Sequence, residues 1–70
     1  MRYAVIIKKT KDNYSAYLPD VPGCVAAGDT PEETLKLLTE ALEMHIQGLK
    51  EDGLPVPEPV TKADYVEVAV

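Results

Sequence analysis

Seventy residues, 46% hydrophobic and 27% charged, make one small soluble domain and leave no length for a second folding unit. One cysteine (Cys24) excludes an internal disulfide, and with one histidine (His45) it cannot supply a structural zinc site; no metal and no cofactor are expected. The formal charge of -5 argues against a general nucleic-acid binder, because grip on phosphate comes from Lys and Arg, and it suits a basic partner.

The charge is uneven. Residues 1–18 carry Arg2, Lys8, Lys9 and Lys11 against Asp12 alone, a net +3, while residues 19–70 carry Lys36, Lys50 and Lys62 against eleven acids, a net -8. The longest apolar run near the start, Tyr3 to Ile7, is too short for a signal peptide or a membrane span. With a free thiol as well, the expected location is cytoplasmic.

Residues 2–8 are rich in strand formers, and 14–18 follow after a polar link containing Asp12 and Asn13, so the pair reads as a hairpin. Tyr3, Val5 and Ile7 alternate with Ala4 and Ile6, which makes both faces apolar and predicts a central strand. Pro19 to Gly23 is a turn, and residues 24–28 form a short third strand of small side chains.

The helix start is the strongest local signal: Thr30 caps, Pro31 fits the first helical position, and Glu33 makes a Thr-x-x-Glu box. Leu35, Leu38, Leu42, His45, Ile46 and Leu49 recur at three- and four-residue spacing, predicting one amphipathic helix over 31–51 that ends at Asp52-Gly53. Residues 54–60 are a Pro-rich, extended connector. Residues 65–70 read as a last strand with Val66, Val68 and Val70 on one face. The order β-β-β-α-β gives an α+β domain over residues 1–70. Its predicted sheet has four strands in order 3-2-1-4, with one long helix on one face.

The stretch Asp20-Val-Pro-Gly-Cys24, the helix start Gly28-Asp-Thr-Pro-Glu-Glu33 and the exit Glu51-Asp-Gly-Leu-Pro-Val-Pro-Glu-Pro59 carry a specific pattern. Together they span most of the chain, which resembles the HicB-like antitoxin family of HicA/HicB toxin–antitoxin systems. The resemblance implies a partial RNase H-like fold that binds and neutralises HicA, a small basic RNA-cleaving toxin with a catalytic histidine. Many members of that family carry a DNA-binding segment after this domain; none follows here before Val70, so no direct DNA binding is expected of this chain.

The residues themselves argue against catalysis. An RNase H-type nuclease needs carboxylates converging on two metal ions, one of them in the first strand, and residues 1–11 contain no Asp or Glu. Cys24, His45 and Asp29 could in principle form a thiol nucleophile with its base and orienter, but a packed Cys and a helix-face His are the simpler reading. Four tyrosines without a basic groove read as core or interface residues rather than a base-stacking platform. The chain is expected not to be an enzyme.

Two interaction surfaces remain. The acidic helix face, with Glu33, Glu40, Glu43 and Gln47, is the candidate contact for the toxin. Tyr65, Val66, Val68 and Val70 are the candidate interface for a homodimer or tetramer, because one helix covers only one sheet face and a Val-rich edge strand invites pairing. The alternative function, from a different class, is a stand-alone homo-oligomeric scaffold or ligand-binding module with no toxin partner.

Overall fold

A computed structural model describes residues 1–70 and gives three strands and one helix, in the order β1 (Ile6–Lys9), β2 (Tyr14–Tyr17), β3 (Val25–Gly28) and α1 (Pro31–Glu51). The three strands form an antiparallel sheet in the order β1-β2-β3. Register is fixed across the sheet: Ile7 faces Ala16, which faces Ala26, and one row on, Ile6 faces Tyr17, which faces Val25.

Local chemistry explains each turn. The β1–β2 link closes through the Thr10 backbone N–H, which donates to the Asn13 carbonyl at 2.8 Å, and through the Thr10 hydroxyl, 2.6 Å from Asn13 Oδ1. After β2, the Val21 N–H donates to the Leu18 carbonyl and the Cys24 N–H to the Val21 carbonyl, and Gly23 adopts φ 83°, a left-handed value that disfavours a side chain. This tight turn folds Leu18, Val21 and Cys24 inward.

The Thr30 hydroxyl accepts the Glu33 N–H at 3.0 Å, so the helix begins where the capping residue predicts. At the other end the Leu54 N–H donates to the Leu49 carbonyl and the Gly53 N–H to the Lys50 carbonyl, with Gly53 at φ 68°. That pair of bonds is the Schellman stop. The core is a small cluster of Ala16, Leu18, Val21, Cys24 and Leu38, flanked by Tyr3, Val5, Ala26, Ala41 and Leu42. Thr34 is fully buried among them, its hydroxyl donating to the Thr30 carbonyl at 2.7 Å.

Three expectations need correction. The fourth strand over residues 65–70 does not form: those residues are exposed and carry no ladder, so the sheet has three strands and not the order 3-2-1-4. Consequently β1 is an edge strand rather than a central one. It also starts at Ile6 and not at residue 2. Continuing the β1–β2 register places Pro19 opposite Ala4, and a proline has no N–H to extend the ladder.

The connector is tied back to the body at two points. The Tyr3 hydroxyl donates to the Pro57 carbonyl at 2.6 Å. The Asp20 carboxylate accepts the Val60 N–H at 3.1 Å, the Thr61 N–H at 2.9 Å and the Thr61 hydroxyl at 2.7 Å. Just past this clasp Lys62 and Ala63 line a shallow groove with Arg2, Tyr3 and Ala4, and the chain from Thr61 to Val70 is exposed. The radius of gyration is 13.8 Å, against about 11 Å for a compact chain of this length.

A candidate protein-binding face on the helix

The helix packs mainly on β3 and β2, and Thr34 and Leu38 are its buried residues. The side turned from the sheet is therefore displayed along its whole length. Glu33, Glu40, Glu43 and Gln47, the residues picked out for partner contact, are all exposed. Spacings of seven, three and four residues bring them to one side of the helix. Gln47 Nε2 donates to Glu51 Oε1 at 3.2 Å, extending the acidic line by one more carboxylate.

Between this polar face and the buried line lie two apolar side chains that the sequence reading passed over. Leu37 and Met44 are seven residues apart, so they stack two turns from each other, and both are exposed, Met44 at 76%. Each lies off the line of Thr34, Leu38 and Ala41 that faces the sheet. Spacing alone does not set them apart, because Leu37 is three residues from Thr34 and four from Ala41, and Met44 is three from Ala41. Exposed apolar side chains bordered on one side by charge are the composition of a protein-binding patch, where the apolar residues supply affinity and the charges supply orientation and encounter rate.

The other candidates are dispersed. Cys24 is buried in the core, and burial pushes its thiol pKa up, the opposite of what a nucleophile needs. His45 is exposed on the helix. No group of three or more His, Cys, Asp or Glu side chains comes together in a form that could hold a metal ion. No helix is long and apolar enough to cross a membrane. Tyr65, Val66, Val68 and Val70 sit together on the exposed terminal segment.

Asp20 was not singled out from the sequence, yet it has the most organised polar surroundings in the molecule. Its carboxyl pKa is held below the ordinary value chiefly by the Thr61 hydroxyl and then by the Thr61 backbone N–H; burial opposes them, and the Val60 N–H adds the least. Its partners are Val60 and Thr61, so it ties the end of the Pro-rich stretch to the turn after β2.

Comparison with known proteins gives one family. The family model described as the HicB-like antitoxin of bacterial toxin–antitoxin systems matches residues 3–69. An uncharacterized protein from the rep-hol intergenic region of Haemophilus phage HP1 is 39% identical over 66 residues, covering 94% of this chain and 50% of that protein. Antitoxin HicB 2 of Photorhabdus laumondii is 35% identical over 69 residues, covering 97% of this chain and 50% of the antitoxin. The chain thus spans about half the length of these relatives. Among solved structures, a chain of a HicA3 and HicB3 toxin–antitoxin complex matches with a TM-score of 0.70 and 37% identity, over 86% of this chain and 70% of that one. With the antitoxin-family model matched from Tyr3 almost to the last residue, this chain belongs to the HicB-like antitoxin family.

Proposed function

We propose that this chain binds and neutralises a small basic RNA-cleaving toxin of HicA type by occupying its RNA-binding and catalytic surface, with no chemistry of its own. The observation that carries this reading is the helix face on which exposed Leu37 and Met44 border Glu33, Glu40, Glu43 and Gln47. A basic surface made to hold RNA is complementary to it in charge, and the two apolar side chains give the contact a desolvated centre. The likeness to a chain of a toxin–antitoxin complex supports the same partner class. The β-β-β-α order is read as part of an RNase H-like fold whose first strand, Ile-Ile-Lys-Lys, offers lysines where a nuclease needs a carboxylate. A toxin that cleaves cellular RNA sets the place of action in the cytoplasm.

The test is binding to a basic HicA-type protein, sought first in the reading frame beside this chain's gene. Glu40→Lys combined with Glu43→Lys is expected to weaken the complex at least about tenfold, mostly through slower association at low salt. Met44→Ala is expected to raise the dissociation rate instead. Affinity unchanged in both variants would move the contact off the helix, and absence of any complex with the native chain would end the reading.

A further inference from the structure

The sheet has two free edges, and they differ in chemistry. At β1, Lys8 and Lys9 lie within the strand and Lys11 follows at the hairpin, all three exposed. Lysines on an edge deter the addition of a further strand. β3 has no such guard. Its four residues, Val25, Ala26, Ala27 and Gly28, carry no charge, no proline and no side chain larger than valine. In an antiparallel pair, alternate residues turn both N–H and C=O away from the neighbouring strand. On β3 those outward groups have no backbone partner, since the strand pairs with β2 alone and the bonds of turns and caps do not involve it. The chain's own terminal stretch does not compete for this edge, because Lys62 and Ala63 lie with Arg2, Tyr3 and Ala4, beside the residues that lead into β1.

The exposed apolar side chains of the helix border the same edge. Thr34 and Leu38 are buried against the sheet, and the helix has a flank on each side of that line. Leu42 and Ile46, on one flank, share a groove with Met1 and Tyr3 at the approach to β1. Successive residues turn by about 100°, which puts Leu37 and Met44 on the opposite flank, toward β3. Glu33 belongs to that flank as well, and a Cβ at Gly28 would come 3.3 Å from its Cγ, so the flank runs against the end of β3. Asp29 follows the strand directly, and both acids are exposed. The unguarded edge thus adjoins Leu37 on the helix, Val25 at 65% exposure on the far face of the sheet, and two carboxylates at its end.

We infer that the toxin-binding surface continues from the helix flank onto β3, where a strand of the basic partner adds to the free edge and extends the sheet. The inference takes its partner from the function proposed above. Charge selects the edge: a basic strand would meet Lys8 and Lys9 at β1, whereas at β3 it meets Asp29 and Glu33. Side chains on the helix side of the added strand pack against Leu37 and those on the far side cover Val25, so backbone bonds and apolar contact form together. Four residues are too few to hold a strand by backbone bonds alone, which makes the pairing depend on the helix flank beside it.

The test uses the full chain and a basic HicA-type protein. Residue-resolved hydrogen exchange on the free chain first identifies which of Ala26 and Ala27 has the outward, fast-exchanging amide. In the complex that amide is expected to slow at least about tenfold, while the outward amide of Lys8 or Lys9 stays as fast as before. Ala26→Pro or Ala27→Pro, whichever position is the outward one, removes a donor that β2 does not use. It is expected to weaken the complex at least about tenfold with the helix retained by circular dichroism. A complex in which the outward β3 amide exchanges as in the free chain would leave the helix contact standing and overturn the strand addition. So would a proline variant that keeps both its helix and the native affinity. If the proline variant loses its helix, the exchange result decides alone. Absence of any complex with the native chain ends both the partner and the strand addition.

Discussion

Leu38 and His45 lie on one line of the same helix, two turns apart, and their surroundings have little in common. Leu38 is 1% exposed in the centre of the core, whereas His45 is exposed. The amphipathic period aims both at the same side, but burial also needs something on that side to pack against. The core supplies it fully at Leu38 and in part at Ala41 and Leu42, and leaves His45 open. The largest expected effect follows directly. Leu38→Ala should cost about 2–5 kcal/mol, a large share of the roughly 4–10 kcal/mol available to a domain this size, while His45→Ala should stay within about 0.5 kcal/mol. Urea unfolding of the two variants measures the contrast, and equal losses would mean that the second half of the helix is packed after all.

The same contrast can be sharpened with two glycines. Gly28 ends β3 where the helix doubles back, and a Cβ there would lie 2.9 Å from the Thr34 hydroxyl and 3.1 Å from its backbone nitrogen. That hydroxyl is buried and committed to the Thr30 carbonyl, so it cannot give way freely. Gly48, in the second half of the helix, has nothing within 4 Å of a Cβ. Gly28→Ala should therefore destabilise by about 1–3 kcal/mol, and Gly48→Ala should stabilise by about 0.5–1 kcal/mol through helix propensity. Opposite shifts of the thermal midpoint are the expected readout.

What could be read in the sequence divides along this line. The turn at Pro19 to Gly23, the Thr30 cap, the helix over 31–51 and its stop at Gly53 depend on chemistry within a few residues, and all appear as expected. The last strand depends on a partner elsewhere. Alternating valines at 66, 68 and 70 state a preference for a sheet and say nothing about whose sheet. The error about β1 has the same root, because apolar residues on both faces do not reveal whether a neighbour is present on both edges. On the candidate binding face the four polar residues could be picked from the helical period. Leu37 and Met44 could not be separated from the core line until that line was located on the sheet. The partners of Asp20 lie forty residues away in a segment with no periodicity, beyond the reach of any local rule.

Cys24 gives a smaller effect, confined to the packed half. Its thiol is buried and its pKa raised, so the thiolate forms less readily in the fold than in the unfolded chain. The stabilisation this reflects is present below the unfolded thiol value and declines as pH rises above it. At mildly alkaline pH a disulfide reagent should react at least about tenfold more slowly with the native protein than with the urea-unfolded chain. Rates that match would place the thiol at the surface and undo the packing role.

The smallest effect is expected at the clasp, on the other side of the comparison. Asp20 holds Val60 and Thr61 with three hydrogen bonds, but those bonds organise the connector and bury almost no apolar surface. Because the folded carboxyl has a lowered pKa, the clasp is fully made above the ordinary aspartate value. It is lost as pH falls through the lowered one. Acidification should release the Val60 and Thr61 amides while the amides of the helix, closed by its own caps, keep their positions. Asp20→Ala should reproduce that local release at neutral pH with little change in the global unfolding midpoint. Hydrogen exchange resolved by residue distinguishes the two regions: Val60 and Thr61 lose protection and Leu38 keeps it. If the helix amides moved together with Val60 and Thr61, the clasp would be part of the core's cooperative unit rather than a local tie.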